Sequence, residues 1–259
     1  MTPRTPMPPA RPPLPLRTRV AMLLRLLAIQ GSWNYETLMG NGIAFCLEPA
    51  LRMLPGGVHT PAFKAAMARQ GRYFNAHPYL AAFAVGALAR AELDGETPER
   101  IERFRAALCG PLGSVGDRLV WAGWLPLSSL AALAAFGAGA SALVVVITFL
   151  LLYNAGHVAL LVWGLGTGWR QGMAVAAGLG HPVLRQGPAI VGGAAALAAG
   201  LAIPLALARV VGAGRVLLGE ILVAALLGAV IVVKAQARIE GWRFALLVVS
   251  AVVLYSVIR

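Results

Sequence analysis

Three short segments hold most of the side chains that could do chemistry, and each interrupts an otherwise apolar context. The first is Gln30-Gly31-Ser32-Trp33-Asn34-Tyr35-Glu36. Asn34 and Glu36 are suited to hydrogen-bonding hydroxyl groups at membrane depth, and Trp33 supplies an aromatic face. The plainer reading is a turn capped by Ser32 or Asn34, with Trp33 and Tyr35 as interface anchors. The second is Phe74-Asn75-Ala76-His77-Pro78-Tyr79. Pro78 disfavours helical backbone at His77, so an unwound segment is expected there. Asn75 and His77 could then contact a ligand, as in discontinuous transporter helices; the alternative is a helix end with an interfacial histidine. The third is Gly110-Pro111-Leu112-Gly113-Ser114-Val115-Gly116-Asp117. Its glycines do not make a phosphate loop, since no strand precedes them and no Gly-Lys-Ser/Thr ending follows. A flexible broken helix fits better, with Gly110, Pro111, Gly113 and Gly116 as hinge candidates. Asp117 is an ionisable group beside a long uncharged run, with Arg118 as its nearest partner.

Catalytic machinery is not apparent. No Ser/His/Asp or Cys/His grouping, Walker sequence or HExxH motif is present. His157 and His181 have no second ligand at helical spacing, so no metal site and no cofactor are expected. Cys46 and Cys109 stand in unrelated contexts and read as free thiols.

These segments need a scaffold, and composition names its medium. Of 259 residues, 59% are hydrophobic and only 12% charged, against about 25% charged in ordinary soluble domains. A core of this size cannot hide so much apolar surface, so lipid must cover part of it. Thirty glycines suit close helix packing in a bilayer. The net charge of +12 is carried by arginines beside and between apolar runs, where the positive-inside rule places them. Nucleic acid is therefore not an expected partner.

Residues 1–19 carry seven prolines and no acidic group, which predicts a disordered cytoplasmic tail. Val20 to Ile29 reads as an amphipathic interfacial helix. Tyr79 to Ala89 is too short to cross a bilayer unaided, and Arg90 to Arg105 reads as an exposed helical loop. From Leu119 through Trp169 there is no Asp, Glu, Lys or Arg, enough for two crossings, with Pro126 and Gly137–Gly139 as places to bend. Further apolar runs cover Gln186–Ala208, Val216–Val233 (interrupted by Glu220) and Phe244–Ile258. The expectation is an all-α polytopic membrane protein, with broken or re-entrant helices in residues 20–118. Residues 119–259 would form a bundle of about four to five transmembrane helices.

The three polar segments, in this order, resemble the IID subunit of the mannose/fructose/sorbose-type bacterial phosphotransferase system. The resemblance rests on QGSWNYE at Gln30–Glu36, FNAHPYLAAFAVG at Phe74–Gly86 and GPLGSVGD at Gly110–Asp117 followed by Trp121. Weaker matches follow at Tyr153-Asn154 and Gly168–Gly172. It implies a multi-pass subunit of the bacterial inner membrane that pairs with a IIC subunit and assembles as a trimer of such pairs. Soluble IIA and IIB components would pass phosphate to the imported sugar, and this chain would not itself be phosphorylated. A hexose-like sugar near the bilayer midplane would meet Trp33, Asn34, Glu36, Asn75 and His77, while Gly110 to Asp117 would bend. Arg118 stands where the family usually has proline, and Leu125 where it usually has arginine. These departures leave open a diverged, non-transporting relative with a regulatory or structural role.

Overall fold

The computed structural model describes residues 13–175 and 180–211. Among them the regular structure is helical, with two isolated backbone bridges and no strand. The spans expected at Val216–Val233 and Phe244–Ile258, with Glu220, lie outside the described residues, as do residues 1–12 of the proline-rich tail.

Helix α1 (Leu16–Leu26) begins directly after Pro15, earlier than the expected start at Val20. It buries Met22 and Leu26 and leaves Leu16, Leu24 and Leu27 exposed beside Arg17 and Arg19. Helix α2 (Gly40–Leu51) enters through two crowded glycines: a Cβ on Gly40 would overlap the Arg72 carbonyl, and one on Gly42 the Ile29 carbonyl. Helix α3 (Pro61–Gln70) starts at a proline, and its Thr60 cap accepts the Phe63 amide at 3.2 Å.

Helix α4 (Ala81–Leu93) is apolar on every side as far as Ala89, and Ala81 through Glu92 are all buried. A helix with no polar stripe must be enclosed by others, and α4 is the axis of the core. Its tightest neighbour is α7 (Ala142–Gln171). A Cβ on Gly86 would stand 2.7 Å from the Trp169 nitrogen, and one on Gly168 would stand 2.8 Å from the Ala87 nitrogen. Small residues thus bring the two backbones together, with Gly164 fitted against Ala82 and Phe83.

Helix α5 (Pro98–Gly116) is capped by Thr97 and carries Glu99 in its first turn, matching the positive helix start. It runs through Pro111 without ending. Asp117–Trp124 continues it as a π-helical segment, and α6 (Leu125–Gly137) completes the rod. Gly139, at φ +95°, turns the chain into α7 as the glycines there predict. Helix α8 (Pro182–Val211) packs on α6, with Ala202 and Ala206 buried and Gly137 pressed against Leu205.

Among the described residues, three helical stretches are long and apolar enough to cross a membrane: Pro98–Gly137, Ala142–Ala174 and Pro182–Val210. The first starts well before the uncharged run at Leu119. Residues 90–105 are exposed over much of their length, from Asp94 to Arg100 above all, as their charge suggests, but three of their charged side chains are not. Arg90, Glu92 and Arg105 are only 2%, 6% and 4% exposed. Arg69 grips Glu92 at 2.9 and 2.6 Å, Gln70 donates to Glu92 at 2.7 Å, and Arg105 bonds Gln70 and the Arg72 carbonyl. Mutual pairing makes their burial tolerable.

Candidate functional site

The three polar segments are contiguous in space, and the backbone joins them. Leu38, at φ +49°, reverses the first loop. The Phe74 amide then donates to the Thr37 carbonyl at 3.1 Å, and Met39 donates to the Phe74 carbonyl at 3.0 Å. One residue past Ala76 the chain meets the third segment. The His77 amide donates to the Leu112 carbonyl at 3.3 Å. The His77 side chain lies on Gly116, where a Cβ would overlap its own Cβ.

Within the first loop, Asn34 serves the loop itself. Its Oδ1 accepts the amides of Glu36 and Thr37 at 3.0 and 2.9 Å, and its Nδ2 donates to Thr37 Oγ1 at 2.9 Å and the Ser32 carbonyl at 3.2 Å. This is an Asx turn with the amide fully used. Trp33 and Tyr35 meet edge-on at 4.8 Å and both are exposed, as is Glu36. Asn75 is also exposed.

His77 is different. It is 1% exposed, and its Nδ1 accepts the Tyr79 amide at 3.2 Å, which places the proton of the neutral ring on Nε2. That Nε2 is buried without a hydrogen-bond partner. Aromatic rings surround it. Tyr79 stands edge-on at 5.2 Å and Trp121 of the π segment is tilted at 5.0 Å. His157 stacks on Tyr79 at 3.7 Å, Tyr153 lies 6.0 Å from Tyr79, and Phe149 stacks on Tyr153. Residues 149, 153 and 157 form one face of α7 at four-residue spacing.

His77 and Tyr79 precede the spanning helices. Burial, with His157 nearby, lowers His77 to about 4. Burial also raises the Tyr79 phenol, and Tyr153 adds to the rise. Both groups are therefore neutral hydrogen-bonding groups at ordinary pH rather than ions. Neutral donors flanked by ring faces suit polyhydroxylated ligands, whose C–H faces stack and whose hydroxyls need partners.

The third segment divides sharply. Gly110 and Gly113 face open space, whereas Gly116 is required by His77. Gly110–Gly116 is continuous α-helix rather than the expected broken one, and the helix changes to π pitch only from Asp117 onward. Asp117 and Arg118 are exposed, and Arg118 donates to the Ser114 carbonyl at 3.2 Å. Trp124, closing the π segment, donates to the Leu152 carbonyl at 3.2 Å and packs on Gly156. Sequence reading thus named His77, but set His157 aside as isolated and missed Phe149 as part of the cluster.

Comparison with known proteins identifies the family. Residues 14–199 match the family described as the PTS system mannose/fructose/sorbose family IID component. The mannose-specific EIID component of Escherichia coli K12 is 31% identical over 179 residues, covering 66% of this chain and 62% of that protein. The fructose permease IID component of Bacillus subtilis is 30% identical over 182 residues, covering 66% and 64%. The chain therefore spans less than two thirds of these relatives' length. A cryo-EM structure of the mannose transporter ManYZ with microcin E492 contains a chain that is 26% identical, with TM-score 0.56 over 73% of this chain and 70% of that one. The matched residues include all three polar segments and the aromatic cluster, and the chain belongs to the mannose/fructose/sorbose family of phosphotransferase-system IID components.

Proposed function

We propose that this chain is the IID half of a multi-pass sugar permease in a bacterial inner membrane. It would act with a IIC subunit to translocate a hexose-like sugar that IIA and IIB components phosphorylate. The observation that supports the reading is the buried, unpartnered His77 Nε2 between the second and third segments. An orphaned donor of this kind costs about 1–3 kcal/mol, which a ligand hydroxyl or a water would relieve. His77 would be the central sugar contact, with Trp33, Glu36 and Asn75 at its exposed approaches. Asn34 would act by holding its loop. The π segment from Asp117, following Gly110, Pro111, Gly113 and Gly116, would supply the bend for alternating access. A trimer of IIC–IID pairs is the expected assembly.

Arg118, standing where the family usually has proline, favours a second reading: a diverged IID-like subunit that regulates or supports without transporting. Co-expression with a IIC subunit of the same family and measurement of phosphoenolpyruvate-dependent uptake over a panel of sugars separates the two. Uptake of at least one sugar is expected. A stable IIC–IID complex that takes up none would overturn the transport reading.

A further inference from the structure

Away from the aromatic cluster, a cavity of about 320 Å³ opens between the start of α1 and the end of α7. Two arginines from different elements line it, Arg19 and Arg170, together with Leu14, Gly166 and Trp169, and no acidic side chain does. We propose that this cavity binds the phosphate of an anionic phospholipid, with an acyl chain running down α7.

The end of a helix carries partial negative charge from its free carbonyls, which would repel an anion. Here buried Arg90 covers them, donating to the Arg170 carbonyl at 2.7 Å and to the Trp169 carbonyl at 3.4 Å. The Arg170 guanidinium is steadied by Thr167 Oγ1 at 3.1 Å and leaves further N–H donors for a phosphate. Arg19 reaches the same cavity from α1.

Exposed apolar surface beside the cavity selects a lipid rather than a free anion. Val158, Val162, Gly166 and Arg170 follow one another at four-residue intervals on one face of α7, and both valines are exposed. Gly166 makes a notch in that row directly before the arginine, since a Cβ there would already stand 3.3 Å from the Arg170 Nη1. The row lies in a helix able to cross the membrane. Leu16, Val20 and Leu24 of α1 are exposed beside Arg17 and Arg19, as an interfacial helix requires. Trp169 adds the aromatic body common at the headgroup level.

The test uses the full chain purified in detergent, titrated with phosphatidylglycerol, phosphatidylcholine or inorganic phosphate and read by native mass spectrometry and melting temperature. Phosphatidylglycerol should bind and raise the melting temperature, and the other two should do neither. Arg19→Gln and Arg170→Gln should each weaken phosphatidylglycerol binding about fivefold, the effect of one basic side chain near an anionic surface. Arg170→Lys should keep most of it, and Arg185→Gln, at an exposed position of α8, should change nothing. Gly166→Leu, which fills the notch and removes no charge, should lower binding as well. Equal binding of the two lipids overturns the proposal, as does binding by both glutamine variants at the wild-type level. Full competition by inorganic phosphate also overturns it, by making the site one for a free anion.

Discussion

The Cα hydrogens of Gly116 face the Cβ of His77 so closely that no side chain fits between the π segment's approach and the unwound loop. The glycine is needed for contact, and its place in a helix argues against any need for unusual backbone.

Replacing Gly116 by alanine should therefore force His77 away from Leu112 and destabilise the protein by about 1–3 kcal/mol, the usual effect of overpacking. Gly110→Ala and Gly113→Ala add a methyl to open space within α5 and should be neutral or stabilising by up to about 1 kcal/mol. Melting temperatures of the three variants in detergent decide the matter. Equal losses would contradict the close packing at Gly116.

His77→Phe keeps the ring and removes the unpartnered Nε2, at the loss of the bond from the Tyr79 amide. Stability should change by less than about 1.5 kcal/mol, as for a nearly isosteric swap, while sugar uptake by the assembled complex should fall at least about tenfold, the worth of one good hydrogen bond. Unchanged uptake would make His77 a packing residue.

Acid should act on the same residue. The folded-state value of about 4 lies below the ordinary 6.5, so the unfolded chain binds the proton first as pH falls. The stability contributed by neutral His77 is complete above pH 6.5 and is lost as pH drops toward 4. Thermal melts between pH 7.5 and 4.5 should show a steeper decline in the wild type than in His77→Phe. Parallel curves would assign the acid sensitivity elsewhere.

Glu92→Gln should be among the most damaging single changes. It leaves Arg69 partly buried and uncompensated where two hydrogen bonds and an ion pair now hold it. About 3–5 kcal/mol is expected from breaking a buried pair. Glu102→Gln, at the exposed Arg72 pair, should cost no more than about 1 kcal/mol. Yield and melting temperature of the two variants make the comparison.

Thiol chemistry distinguishes the two free cysteines. Burial pushes Cys46 up to about 12 against the opposing pull of Arg25, so it has almost no thiolate at pH 8. A soluble maleimide should label the half-buried Cys109 first and reach Cys46 only after unfolding. Early labelling of Cys46 would show that α2 opens readily.

The long uncharged runs made α7 and α8 legible from sequence, because residue type alone decides what lipid accepts. The turn at Gly139 was legible for a similar local reason. Arg90, Glu92 and Arg105 were not: charge density signals exposure, and only the arrival of Arg69 and Gln70 from α3 beside Glu92 and Arg105, and of the α7 end carbonyls beside Arg90, makes their burial possible. The three polar segments could be picked out, yet their union through Phe74 and His77 depends on backbone hydrogen bonds that no composition encodes. His157 looked isolated along the chain because Tyr79, its stacking partner, is far away in sequence. The four-residue spacing of Phe149, Tyr153 and His157 was the available signal.

The π-helical stretch at 117–124 has a consequence for the angular phase of the rod that contains it. A wider turn absorbs on the order of one residue more than an α-helix does, and one residue is worth about 100° of rotation. Helix α5 thereby points Ile101, Leu108 and Leu112 into the core, while α6, on the same rod, is free to aim Ala132 at its own neighbours. Losing a single residue from this stretch would leave the rod helical and the composition intact, yet would swing everything beyond Trp124 out of phase with α8.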